Sequence, residues 1–173
     1  MARLTSHSRI GLLIIAVLSI ASACGQSRSE VRFKNVINCS SYIDELDEVP
    51  KSWTPVLGVV ALPVDPVETG RAGVEGSPYE GYLFAKFGLI VRANSELTLE
   101  VPVTGSVLME WGTLEHSGRP ANSLSIGPCE GGGMDWVVFA GGLWVKKPMC
   151  VTITVTSGGQ TAKARVGVDA QCP

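Results

Sequence analysis

The sequence predicts an all-β protein: a two-sheet immunoglobulin-like sandwich of roughly 7–9 strands with at most one short helix, stapled by disulfides. Three observations predict it. Short runs rich in Val, Ile and Thr alternate apolar with polar residues, and Gly- and Pro-bearing turn signals separate them. Segments with helical periodicity are almost absent. Cys39, Cys129, Cys150 and Cys172 form an even set, suited to two bridges in an oxidising compartment.

The beginning of the chain stands apart from this pattern. Met1–Arg9 carries Arg3 and Arg9 and no acid, and Ile10–Ala23 is apolar apart from serines and a glycine. That stretch is shorter than the roughly 20 residues needed to span a bilayer. With Ala21-Ser22-Ala23 before the cut, residues 1–23 read as a secretory signal peptide. Ala21-Ser22-Ala23-Cys24-Gly25 resembles the lipobox of bacterial lipoproteins, with alanine at position 21 where leucine is preferred. The resemblance implies that Cys24 is diacylated and becomes the mature N-terminus. The alternative is an ordinary cut at the same bond, which leaves a secreted protein with a free Cys24 thiol. Cysteine parity favours lipidation, because setting Cys24 aside leaves the even set. Two acyl chains, at about 0.8 kcal/mol per buried methylene, hold a protein on a membrane stably. Residues 24–34 are then a polar tether, of which Gly25–Lys34 reaches about 33 Å fully extended, and residues 35–173 a single β-sandwich domain.

Along that domain, Ser41–Glu48 is the one expected helix, with Ser41 and Asp44 as a capping box and Pro50 as its stop. Its four acids lack the alternating Asp/Asn spacing of a calcium loop and read as a solvated turn. Val56–Leu62 is expected as one buried strand. Pro63–Gly81 is a long Pro/Gly-rich loop. Tyr82–Arg92 reads as a single strand with a bulge at Gly88. Leu97, Leu99, Val101 and Val103 point inward, with Pro102 near an edge, and Val107, Met109 and Trp111 form the next inward set. Gly112–Asn122 is a second long loop, followed by a brief strand at Leu124–Ile126. Asp135–Ala140 and Leu143–Lys146 are expected to form a hairpin through Gly141-Gly142. Trp136, Val138 and Ala140 share one face there, and Val137 and Phe139 the other. Val151, Ile153 and Val155 alternate with threonines, Ser157-Gly158-Gly159-Gln160 supplies a tight turn, and the return strand aligns Ala162, Ala164, Val166 and Val168. Four cysteines allow three pairings. Cys129–Cys150 and Cys39–Cys172 are the expected bridges.

Little chemistry is written in these residues. Without Arg3 and Arg9 the chain holds 12 basic and 16 acidic residues, a formal charge of −4, with no basic run, so nucleic acid is not an expected partner. His7 leaves with the leader, so a serine triad would have to use His116, and no Gly-x-Ser-x-Gly elbow accompanies it. There is no His-Glu-x-x-His pattern and no Cys-x-x-Cys pair, so no metal site is expected. Gly131-Gly132-Gly133 lacks the Gly-Lys-Ser/Thr ending of a phosphate loop, and no cofactor is implied. Glu110 beside Trp111 and Asp135 beside Trp136 are the most suggestive acids for a glycan hydrolase with paired carboxylates. Strand alternation explains both more simply, with the tryptophan packed inside and the acid facing water. Trp53 and Trp144 are the tryptophans expected nearest to the surface. With Arg71 and Tyr79 on the first long loop, and His116 and Arg119 on the second, they form the candidate binding surface, since rigid sandwiches present function on loops.

Gly127-Pro128-Cys129, Trp136-x-x-Phe139-Ala140-Gly141-Gly142-x-Trp144-Val145-x-x-Pro148-x-Cys150-Val151 and Cys172-Pro173 look like small secreted or lipid-anchored β-proteins of high-GC Gram-positive bacteria. Leu83-Phe84-Ala85-Lys86 and Trp53-x-Pro55-Val56-Leu57-Gly58 look similar too. The resemblance implies an extracytoplasmic address and a shared scaffold. Function is unknown for the group, and no catalytic residue carries over. The expected protein is a membrane-tethered, extracytoplasmic, non-catalytic module that binds an envelope protein or glycan, with a cell-wall-directed hydrolase as the alternative.

Overall fold

The computed structural model describes residues 33–112 and 119–173. The leader, Cys24 and His116 lie outside the described residues. The chain is almost entirely β. Its strands are β1 (Lys34–Ile37), β2 (Tyr42–Leu46), β3 (Trp53–Val56), β4 (Val60–Pro63), β5 (Thr69–Ala72), β6 (Leu83–Lys86), β7 (Leu89–Arg92) and β8 (Leu97–Glu100), followed by β9 (Val107–Trp111), β10 (Ser123–Ile126), β11 (Trp136–Phe139), β12 (Gly141–Val145), β13 (Met149–Ser157) and β14 (Gln160–Val168). The first sheet has the order β1-β10-β8-β13-β14, the second β2-β11-β7-β4-β3 and the third β5-β6-β12-β9. Among the described residues no helix is long and apolar enough to cross a membrane.

The second and third sheets are two limbs of one bent layer. β7 pairs with β11 in the second and β6 with β12 in the third, so two neighbouring antiparallel strands run through both limbs. They bend at the same level. There the Phe87 N–H donates to the Gly141 carbonyl at 3.0 Å, and the Gly112 N–H to that of Ala140 at 3.0 Å. Glycine permits the bend by its missing side chain. A Cβ on Gly141 would overlap the Glu110 carbonyl oxygen, and one on Gly142 would overlap that of Ala85. The expected hairpin through Gly141-Gly142 is therefore corrected: β11 and β12 do not pair with each other but continue one into the other. Gly88 marks a bend between β6 and β7 in place of a bulge. These bends, with a hairpin inside Val56–Leu62, raise the strand number above the expected range. Leu57 and Gly58, at φ 51° and 69°, turn that run back on itself.

The bent layer and the first sheet enclose one core. Leu97, Leu99, Val101, Val107, Met109, Trp111, Val137, Phe139, Val151, Ile153, Val155, Val166 and Val168 all lie in it, on the faces that alternation assigns. The β13–β14 hairpin forms as expected, its turn made by Gly158 and Gly159 at φ 55° and 75°.

Ser41–Glu48 is not a helix. A 3-10 turn spans Cys39–Ser41, capped by the Asn38 side chain, and β2 follows directly. Eight residues make at most two helical turns, too few to repay nucleation in water. The ladder to β11 supplies the backbone groups on its inner edge with partners instead.

All four domain cysteines are bridged, but as Cys39–Cys129 and Cys150–Cys172. This corrects the expected pairing, and both bridges follow from strand register. β1 and β10 are parallel, with Ile37 opposite Ile126, so the chain leaves both on the same side and brings Cys39 to Cys129. Cys150 lies opposite Gly167, and the chain reverses after Val168 with Asp169 at φ 46°. The Ala170 carbonyl packs where a Cβ on Gly167 would sit, which lets Cys172 return to Cys150. Two formed disulfides point to an oxidising, extracytoplasmic environment.

Candidate functional site on the outer face of the third sheet

Alternation that sends Ala85, Leu143, Val145, Val107 and Met109 into the core sends Phe84, Lys86, Trp144, Leu108 and Glu110 to the opposite face of the third sheet. Register sorts them into two rows. Arg71, Phe84, Trp144 and Leu108 stand side by side across β5, β6, β12 and β9. In the next row Lys86 and Glu110 flank Gly142.

The first row is a second, smaller apolar cluster. Phe84 and Trp144 approach to 4.6 Å between ring centroids, and Tyr79 stacks on Trp144 at 4.2 Å with 23° between planes. Tyr79 is delivered by a compact loop, Gly73–Tyr82, whose ends are tied by the Gly73 N–H donating to the Tyr82 carbonyl at 2.7 Å. Inside it the Gly76 N–H donates to the Glu80 carboxylate at 2.9 Å, and the Tyr79 N–H to the Ser77 hydroxyl at 3.2 Å. The Arg71 guanidinium lies 4.6 Å from the Phe84 ring centre and 5.2 Å from that of Trp144, within cation–π range. Trp144 is consequently 3% exposed although it faces away from the core.

Its polar atom is satisfied as well. The Trp144 indole N–H donates to Glu110 Oε2 at 2.6 Å. The Tyr79 hydroxyl reaches the same carboxylate. Burial foremost, then that hydrogen bond and the negative charge of Glu110, push its ionisation up to about 12, against the opposing pull of Arg71. Tyr82 closes the far end, its hydroxyl donating to the Gly105 carbonyl at 2.7 Å and its ring 5.3 Å from the Lys146 ammonium. Its ionisation is also raised, by burial.

Beside the aromatic row lies a groove of about 460 Å³, walled by Arg71, Phe84, Lys86 and Glu110 and bordered by Gly70, Gly112, Ala140 and Gly141. Strands two apart in a sheet are separated by about 10 Å, so Lys86 and Glu110 face each other across the glycine floor. They form no ion pair. Among the described residues no carboxylate lies within ion-pair distance of Arg71 or Lys86.

The structure brings Arg71, Tyr79 and Trp144 of the expected surface into this one cluster. It separates two others from it. Trp53, on β3, is half-buried against the second sheet with its ring 6.1 Å from Phe87. Arg119 is exposed, and its carbonyl accepts from the Asn35 amide at 3.2 Å. Lys86 and Phe84 were not singled out from sequence, although their alternation with core-facing Ala85 places them outside. Asp135, the other acid considered, lies 3.5 Å from Arg92, whose guanidinium sits 5.6 Å from the Trp136 ring centre. A second crevice of about 540 Å³ runs between β3–β4 and β14, lined by Lys163, Arg165 and mainly aliphatic or proline residues. It offers neither an aromatic ring nor an acid. No protein-family model matches the chain, and no curated protein matches it significantly.

Proposed function

We propose that the mature protein is a lipid-anchored, extracytoplasmic, non-catalytic binding module that meets an envelope component through the groove on the third sheet. The observation that carries this reading is the pair of cations, Arg71 and Lys86, which have no carboxylate within ion-pair distance among the described residues and which line one concave site with Glu110. The aromatic cluster holds Arg71 there. The cell membrane's outer face, in a high-GC Gram-positive cell, is the address that the leader, Cys24 and the resemblance support, and the disulfides agree with an exported protein.

Hydrolysis by paired carboxylates needs a second acid roughly 5–10 Å from the first. Glu110 is the only acid among the described residues lining this groove, which favours binding over hydrolysis there.

Two measurements on the full mature chain test the proposal. Intact mass of membrane-extracted protein, with and without reduction, is expected to show a diacylated Cys24 and two bridges, and Cys24→Ser is expected to release the protein from membranes. Detergent-solubilised protein is expected to retain envelope material in a way that Lys86→Ala abolishes. Recovery of an unacylated chain from membranes, or equal retention by the variant, would overturn the corresponding half.

A further inference from the structure

We propose that the ligand of this groove is a carboxylate-bearing glycan, an assignment that rests on the binding-module reading and narrows it. The groove lies on the face of a sheet. Its two central strands have spent their backbone groups in ladders on both sides, β6 with β5 and β12, and β12 with β6 and β9. An extended peptide gains affinity mainly by adding to an open edge, and the floor of this groove has no open edge to give. Recognition must come from side chains, and those present divide into two kinds.

Arg71 and Lys86 are donors only, with two positive charges and no carboxylate among the described residues within ion-pair distance. The guanidinium of Arg71 is already held by the Phe84 and Trp144 rings, so less freedom is lost when its donors engage a planar carboxylate. Glu110, on the other wall, is acceptor-only when ionised and has about four lone-pair sites. The Trp144 indole takes Oε2, which leaves acceptor sites for paired hydroxyl donors. A ligand matched to the whole groove therefore presents a carboxylate to Arg71 and Lys86 and, about a ring's width away, hydroxyls to Glu110. An acidic sugar unit has that arrangement. The groove volume lies within the about 300–1,000 Å³ of small-ligand clefts.

The test is calorimetric titration of the detergent-solubilised mature protein with oligogalacturonate and with oligomeric sialic acid, two carboxylated glycans of different linkage. The controls are methyl-esterified oligogalacturonate, poly-glutamate and inorganic sulfate. At least one carboxylated glycan is expected to bind. Esterification is expected to weaken it about tenfold or more, as are Lys86→Ala and Arg71→Gln, and Glu110→Gln is expected to weaken it while leaving the cations in place. Circular dichroism and unfolding midpoints certify each variant, and Lys86→Ala, at an exposed position, keeps the test informative if Arg71→Gln does not fold. Equal binding of the methyl ester, of poly-glutamate or of sulfate would overturn the assignment, as would binding insensitive to Lys86 and Glu110. No titratable glycan binding, with envelope retention still dependent on Lys86, would sink the glycan and leave the binding module standing. Loss of both would sink both.

Discussion

The indole N–H of Trp144 donates to the Glu110 carboxylate at 2.6 Å, across the β12–β9 ladder and on the side of the sheet turned away from the core. A large aromatic residue is thus buried on the outer face with its one polar atom matched, which ties the aromatic row to the charged row of the groove. Glu110→Gln keeps an acceptor within reach and should unfold near the wild-type midpoint. Glu110→Leu leaves the indole N–H without a partner and should cost about 1–3 kcal/mol, read by urea denaturation. Equal stability of the two variants would show that the bond contributes nothing.

The double-glycine floor should tolerate no side chain. Gly142→Ala drives a methyl into the Ala85 carbonyl, a backbone group that has no rotamer to escape into. A loss of about 1–3 kcal/mol or more is expected. Gly70→Ala, beside the same groove with nothing within 4 Å of the added carbon, should stay within about 0.5 kcal/mol of wild type. The comparison of thermal midpoints checks the packing at the bend.

Non-reducing peptide maps should recover Cys39–Cys129 and Cys150–Cys172 as the linked pairs. The bridges span sequence separations of 90 and 22, so chain entropy makes them worth about 5 and 3 kcal/mol respectively. Paired alanine substitution of Cys39 and Cys129 should therefore lower stability more than that of Cys150 and Cys172. The reverse order would point to native-state effects beyond loop closure.

Tyr79 should be the last tyrosine to ionise. Its folded-state pKa stands above its unfolded value, so the folded protein holds that proton more tightly. The stabilisation is complete below about pH 10 and is lost as pH rises toward about 12. Absorbance of tyrosinate during alkaline titration should lose its highest-pH component in Tyr79→Phe, which keeps the stacked ring. If that component persists, the hydroxyl is not held by Glu110 and burial.

Asp169 should respond in the opposite direction. It accepts from the Thr69 hydroxyl and from the Thr69 N–H at 3.0 Å, the hydroxyl first among the causes that lower its pKa. A depressed folded value means that its contribution is present above the ordinary carboxylate range and disappears as pH falls through the folded value. Carboxyl NMR titration should place Asp169 lower in wild type than in Thr69→Val. Coincident curves would remove this link between β5 and the end of β14.

The groove was partly legible from sequence. Arg71, Tyr79 and Trp144 were three of the six residues assigned to a binding surface, with Trp53, His116 and Arg119, and Glu110 was an acid beside a tryptophan. What joins them was not legible, because Gly141-Gly142 serves local turn chemistry and close strand approach equally well. Only the neighbours of β12 show which use applies: the carbonyls of Glu110 and Ala85 sit where side chains would be. Trp144 is similar. Strand alternation indicates that it leaves the core, but not that Tyr79, from a loop more than 60 residues earlier, covers it.

By itself, the amino-acid order determined the all-β character, the inward and outward faces of most strands, the β13–β14 hairpin and the presence of two bridges. The strand faces and the hairpin depend on neighbours one, two or three residues away, where a period of two and positive-φ glycines leave few choices, and the two bridges follow from the even cysteine count. Tertiary structure alone decided which cysteines join, that Ser41–Glu48 is not helical, and that a charged groove opens on the third sheet beside the bend. A period of two tells a residue which face it occupies and says nothing of which strand lies beside it. The parallel β1–β10 pairing and the shared bend of β6–β7 with β11–β12 are contacts between distant parts of the chain.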